Sequence, residues 1–286
     1  MTTESIVCLY HKQCVDGTTA AAVVLRKYPQ AEFFPIAFDT AAADIALVKT
    51  HLRPDTKIIY VDSTIGLNQL APLGHPITVI DHHISEYETV TDLTKKYPNI
   101  TYHYAEPESG ASLAWQHFFP EEALPTLVRY VRDIDVYTKQ YVPESEWLCT
   151  YLSEFRDNPH ALLEFFDNDL TIPLAHGKVL GNYADREIEK VCQLEPFYIT
   201  TPLGDVPAYN ITNYQSAAGN ILSLKMNSAV ILYKISGASV RCSIRSKEGQ
   251  SPSALEVAKV FGGGGHVCSA GAGIKREQFF ALIKKN

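Results

Sequence analysis

Three short apolar runs in the N-terminal half each end in side chains that bind metals. Ile6-Val7-Cys8-Leu9-Tyr10 runs into His11 and then Asp16-Gly17; Lys57-Ile58-Ile59-Tyr60-Val61 runs into Asp62; Ile77-Thr78-Val79-Ile80 runs into Asp81-His82-His83. Such runs read as buried strands, and a carboxylate beside a core is costly unless it is used. In open α/β sheets, ligands collect outside the carboxyl ends of parallel strands. Three such ends side by side would gather imidazoles and carboxylates in one pocket, the makeup of a two-metal hydrolase site.

The rest of the first half alternates strand and helix. Thr18 to Tyr28 is Ala- and Leu-rich and stops before Pro29, as a helix should. Phe33 to Phe38 reads as a strand, Asp39 to His51 as a helix and Leu67 to Leu70 as a short helix. Alternation with continuous apolar strands predicts a parallel sheet covered on both faces. Ser109-Gly110-Ala111-Ser112 opens a helix to about Phe119, and another runs from Glu121 through Asp135. Helical patterns continue over 158–166 and 176–194. Then Pro196, Pro202, Gly204 and Pro207 mark a change of character, and Phe197 to Thr201 and Val206 to Ile211 read as a hairpin. A helix at 215–226, β-rich runs at 229–235 and 239–244, and a helix at 253–260 precede Gly262-Gly263-Gly264-Gly265-His266. The expected architecture is α/β in two domains, 1–194 and 195–286.

Length permits this, because single cores stop growing near ~250 residues and the chain has 286. Its 46% hydrophobic and 20% charged content is that of a globular protein. A net charge of −7 argues against a partner gripped as long duplex nucleic acid, which calls for a basic face. It leaves room for a short anionic substrate where bound cations reverse the local sign. The six cysteines form no Cys-x-x-Cys pair. No apolar stretch approaches the ~20 residues of a membrane span and no secretory signal is visible, so a cytoplasmic location is expected.

Among the polar clusters, Asp81-His82-His83 is the most specific. At a strand end the chain turns, so adjacent imidazoles can serve one site, with Asp81 orienting a ring. Asp16 has a competing reading as a helix N-cap, and Asp62, which could bridge two metals, has one as a cap for the next helix. Asp133 is read evenly as a metal ligand or as an ion-pair partner of Arg129 or Arg132, while Asp135 is read as a ligand. Gly263, Gly264 and Gly265 expose backbone N–H groups that can line an anion, with His266 as a further donor, against the reading of a plain turn. Arg245-Ser246 offers a fork for phosphate or a base edge, against that of a solvated surface arginine.

These residues resemble the motifs of the DHH phosphoesterase superfamily, in the nanoRNase and exopolyphosphatase-like branch with a C-terminal DHHA1 domain. The resemblance spans almost the whole chain: His11…Asp16-Gly17, Val61-Asp62, Asp81-His82-His83, Ser109-Gly110-Ala111, Asp133/Asp135, and Phe261 to His266 followed by Ala270-Gly271. It implies a parallel-sheet DHH domain, a helical connector and a smaller α/β DHHA1 domain, with the active site in the cleft between them. It implies two divalent metal ions, usually Mn2+, with Mg2+, Co2+ or Zn2+ as alternatives. The ligands would be His11, Asp16, Asp62, His82 and Asp135, with Asp62 bridging; His83 would face the scissile phosphate and Asp81 support the imidazoles. Arg245, the glycines and His266 would hold the far end of the substrate. Where most members have Asp-x-Asp in the first motif, this chain has Cys14-Val15-Asp16. Either Cys14 is a thiolate ligand, which would favour softer ions, or that site has one protein ligand fewer.

The reading is a phosphodiesterase that cleaves short oligonucleotides, dinucleotides such as pGpG or pApA, to 5′-mononucleotides. A hydrolase of inorganic polyphosphate and a non-catalytic nucleotide-binding module are the alternatives. Homodimer formation is left open, and no membrane partner is expected.

Overall fold

The computed structural model describes residues 5–284. The first unit begins with β1 (Ile6–His11), α1 (Val15–Lys27), β2 (Glu32–Ile36), α2 (Ala41–His51), β3 (Lys57–Val61), α3 (Leu67–Leu70), β4 (Ile77–Asp81), α4 (Ile84–Lys96) and β5 (Ile100–Tyr104). The five strands are all parallel, in the order β2-β1-β3-β4-β5. Strand periodicity splits β1 between two cores. Ile6, Cys8 and Tyr10 face α1, while Val7 and Leu9 face the cluster of Ile45, Val48, Leu67 and Val90. Helix α1 is buried from Asp16 to Leu25, and its Ala20-Ala21-Ala22 run lets it lie close against the sheet and the neighbouring helices.

A helical stretch follows: α5 (Gly110–Phe118), α6 (Thr126–Asp135), α7 (Glu144–Leu152), α8 (Pro159–Leu163) and α9 (Thr171–Val191). The chain divides into two compact units between Gly181 and Asn182, inside α9. The 194/195 boundary expected from the sequence lies beyond the end of this helix. The difference has a packing reason: Ile188 and Cys192 join the second unit's core with Tyr209, Leu222 and Leu232.

The second unit continues with β6 (Phe197–Thr201), β7 (Gly204–Asn210), α10 (Gln215–Met226), β8 (Val230–Ser236), β9 (Ser239–Arg245), α11 (Ala254–Val260), β10 (Gly264–Gly265), β11 (Ser269–Lys275) and α12 (Arg276–Ala281). Its sheet is mixed, in the order β10-β11-β9-β8-β7-β6, with β7 and β8 parallel and the other neighbours antiparallel. Sequence pattern alone missed α4, β5, α7, β10 and α12. Helix α4 is rich in Thr, Ser and charged residues and buries only Val90, so its apolar content is low. No described helix is long and apolar enough to cross a membrane.

Candidate metal centre

Strands β1, β3 and β4 are neighbours, and the sheet order reverses between β1 and β3, where a crevice opens at the strand carboxyl ends. Here β1 delivers His11 as its last residue, β3 is followed at once by Asp62, and β4 ends in Asp81 ahead of His82 and His83. Asp62 is 1% exposed and has φ of 54°, a left-handed conformation that is uncommon outside glycine. Backbone strain of this kind persists only where the surroundings enforce it, and it clusters at functional sites. Two glycines make the room. A Cβ at Gly110 would stand 2.5 Å from the Asp62 Cβ, and one at Gly17 would stand 2.7 Å from the His11 carbonyl oxygen and 3.0 Å from Asp62 Oδ2.

The side chains converge on Asp62. His82 Nε2 donates to Asp62 Oδ1 at 3.1 Å and lies 3.4 Å from Asp135 Oδ2 and 4.0 Å from Asp16 Oδ2. His11 Nδ1 lies 3.6 Å from Asp62 Oδ2. Ligand atoms fall into three clusters of metal-binding size: His11, Cys14 and Asp62; Asp62, His82 and His83; and Asp16, His82 and Asp135. Asp62 belongs to two of them, as a bridging carboxylate does.

The electrostatics call for a cation. Burial, then the charges of Asp135 and Asp62, push Asp16 well above the usual carboxylate range. Asp135 is pushed up to about 6 by burial and by Asp62. Burial also works against ionised Asp62, but the His11 ring beside it and the hydrogen bond from His82 outweigh it and hold Asp62 low. Burial of His82 is likewise outweighed, by its bond to Asp62 and the surrounding carboxylates, and its pKa rises to about 9. Without a metal, protons on Asp16 and His82 offset part of the cluster's negative charge. Asp62 Oδ2 is buried with no hydrogen-bond partner. Oxygen and imidazole donors with an orphaned carboxylate oxygen between them fit divalent metal ions. Cys14 is pushed high by burial and by Asp62 and Asp16, so it is a neutral thiol unless a cation draws off its proton. Its sulfur accepts from the Gly17 N–H at 3.4 Å as the N-cap of α1.

The competing readings of the carboxylates separate clearly in space. Asp16 is not an N-cap; it sits inside the first turn of α1, and its two oxygens accept from Gly110 N at 2.6 Å and Ala111 N at 3.1 Å, at the start of α5. A helix N-terminus thus aims the Asp16 carboxylate. Sequence reasoning gave Gly110 no such role, although Ser109 and Ser112 form a capping box that marks the helix start. Asp62 caps no helix, since the N-cap of α3 is Gly66. Asp133 does not reach the cluster. It is buried in the last turn of α6, where Thr138 Oγ1, Gln140 N, Tyr141 N and Ser145 Oγ from the following segment all donate to it at 2.6–3.1 Å. Asp135, two residues on, is the one beside His82. Asp81 is fully buried and accepts from His83 Nδ1 at 2.8 Å, a bond that raises the His83 pKa.

The second unit's candidates are arranged differently. His266 is exposed at the turn joining β10 to β11. Two of the glycines have packing reasons: a Cβ at Gly263 would come within 2.1 Å of the Gly271 carbonyl oxygen, and Gly265 has φ of +138°. Gly264 faces open space. Arg245 donates to Ser243 Oγ, Ile244 O and Ser216 Oγ. Ser246 is buried; its Oγ accepts from Ala254 N at 2.9 Å, at the start of α11, and is thereby committed to the fold.

No protein-family model matches the chain. Uncharacterized protein R106 of Acanthamoeba polyphaga mimivirus is 24% identical over 160 residues, which cover 52% of this chain and 37% of that protein, so the match spans little more than a third of that relative's length. Among solved structures, RecJ of Thermus thermophilus in complex with Mn2+ is 14% identical, with 98% of this chain and 51% of that chain covered and a TM-score of 0.53. The pGpG-specific phosphodiesterase PggH of Vibrio cholerae is 12% identical, with 98% and 96% covered and a TM-score of 0.51. An exonuclease RecJ bound to manganese is 15% identical, with 98% and 88% covered and a TM-score of 0.50. At these identities the likeness is one of fold, and it extends over both units. The chain shares with these structures the fold that the motifs implied, a parallel-sheet unit followed by a smaller mixed α/β unit, with Asp81-His82-His83 at the end of β4.

Proposed function

We propose that the protein is a metal-dependent phosphodiesterase that hydrolyses very short oligonucleotides to 5′-mononucleotides. The observation that carries this reading is the buried Asp62 carboxylate, shared between two ligand clusters and left with no hydrogen-bond partner at Oδ2. One ion would be held by His11, Cys14 and Asp62, the other by Asp16, Asp62, His82 and Asp135. Two bound divalent ions supply a water of lowered pKa and positive charge against the attacking and leaving oxygens. His83 supplies the proton chemistry. Its Nδ1 is committed to Asp81, which fixes the ring and favours the imidazolium, so Nε2 is the atom left to hold or donate a proton at the scissile group. His266, Arg245 and the exposed Gly264 of the second unit hold the substrate's far end.

A screen of dinucleotides, cyclic dinucleotides, polyphosphate and mononucleotides with Mn2+, Mg2+, Co2+ or Zn2+ tests the reading. Turnover concentrated on linear dinucleotides is expected; turnover of polyphosphate alone would reassign the substrate. Binding of nucleotides with no hydrolysis under any metal would make the protein a binding module.

His266→Ala and Arg245→Ala are expected to raise KM for a dinucleotide about ten-fold or more. Hydrolysis of a small activated diester such as bis(p-nitrophenyl) phosphate should change little. Equal losses on both substrates would remove the second unit from substrate binding.

Cys14→Asp is expected to retain activity and to move the metal optimum toward Mn2+ and Mg2+, because a carboxylate replaces a softer donor. Cys14→Ser should weaken one of two metal-binding steps. Superimposable metal titrations for Cys14→Ser and the natural protein would reduce Cys14 to its N-cap role.

A further inference from the structure

Beside the metal cluster, within the first unit, a pocket of about 70 Å3 is bordered by His11, Asp62 and His83. Its other walls are Ser63, Thr64 and Ile65 after β3, Ser85 and Glu86 at the start of α4, and Phe38 in the loop after β2. Three features set its chemistry. Phe38 is 80% exposed at the rim, which leaves an aromatic face open to solvent. No lysine or arginine lines the pocket. Its one carboxylate outside the metal cluster and Asp81, Glu86, accepts from Thr64 Oγ1 at 3.2 Å and has lone pairs left for a further donor.

A phosphate placed beside Glu86 would meet a carboxylate with no lysine or arginine near it, and the histidines of the pocket, His11 and His83, are engaged at the metal cluster and the scissile group, so this end of the pocket does not suit the next phosphate of a polyphosphate chain. A neutral group bearing hydroxyl donors suits it. The volume holds a handful of waters, at ~10–15 Å3 for one, which is the scale of a furanose ring and not of a purine. A base attached to such a ring would emerge at Phe38. We propose that this pocket is the subsite for one nucleoside of the scissile phosphodiester, with Glu86 accepting from a ribose hydroxyl and Phe38 stacking on the base. The assignment rests on the phosphodiesterase reading above and narrows it to nucleoside esters.

The test separates binding from hydrolysis. The fluorescent nucleoside 2-aminopurine riboside carries no phosphate, so it can be titrated into the metal-free protein. Stacking on Phe38 should quench its emission on binding. Phe38→Ala, at an exposed position, should fold normally and lose binding about five- to hundred-fold, the range of base–aromatic stacking. Glu86→Ala should bring the preference for riboside over 2′-deoxyriboside, expected at several-fold in the natural protein, down to about one. Unchanged affinity and quenching in Phe38→Ala would overturn the stacking role, and equal binding of riboside and deoxyriboside to the natural protein would overturn that of Glu86. Kinetics then tell the two readings apart. If the subsite holds, Phe38→Ala lowers kcat/KM on a dinucleotide but not on one whose base at the contacted nucleoside is removed. Nucleoside binding with no metal-dependent hydrolysis of any diester would uphold the pocket and sink the phosphodiesterase reading.

Discussion

Asp62→Asn is expected to abolish hydrolysis with every metal tested, by about a thousand-fold or more. The substitution keeps the side chain's shape and suits the left-handed backbone, since asparagine tolerates positive φ better than other residues with a Cβ. What it removes is the charge shared by two ligand clusters. Two effects on the metal-free fold oppose each other. The hydrogen bond from His82 and the His11 ring lose an anionic partner, while Asp16 and Asp135 lose a like charge that now raises their pKa values. Thermal unfolding of the metal-free protein should therefore shift by no more than about 1 kcal/mol in stability. A well-folded Asp62→Asn protein with near-normal turnover would remove the bridging carboxylate from the mechanism.

Asp133→Ala is expected to do the reverse, destabilising the first unit by about 3–5 kcal/mol. The carboxylate organises the turn after α6, and its loss leaves two hydroxyls and two backbone N–H groups without their acceptor. Both tryptophans, Trp115 and Trp147, lie in the first unit, so denaturant unfolding followed by tryptophan fluorescence reports on that unit. Asp135→Ala should leave this transition in place or raise its midpoint, because a like charge beside Asp62 is relieved, while activity is lost. Similar stability losses in the two variants would show that Asp135 too is structural.

The contrast between these neighbours shows where sequence reading stops. Strand ends that terminate in His11, Asp62 and Asp81-His82-His83 were legible, because buried apolar runs have a plain pattern and metal-binding residues stand out against them. The parallel sheet, and the glycine run followed by His266, were legible for the same reason. Asp133 and Asp135 were not separable, because they stand about 200° apart on the helix and its phase decides which carboxylate turns toward the metal cluster, and no pattern fixes that phase near a helix end. The hold on Asp16 by Gly110 and Ala111 joins residues far apart in the chain, and only the packing of α1 on α5 brings them together. Ser246, expected to face substrate, is turned to the start of α11 instead. Phe38 was read as strand; β2 stops at Ile36, and the ring stands in the following loop beside the metal cluster.

The most direct test of the metal-dependent reading is a titration. The protein is stripped with chelator and dialysed, then given Mn2+ in steps while bound metal and turnover of a linear dinucleotide such as pGpG are followed together. The prediction is no turnover in the stripped protein, with activity appearing only as a second ion per chain is bound. Undiminished turnover in the stripped protein, or full loading with two ions and no hydrolysis of any short oligonucleotide, would contradict it.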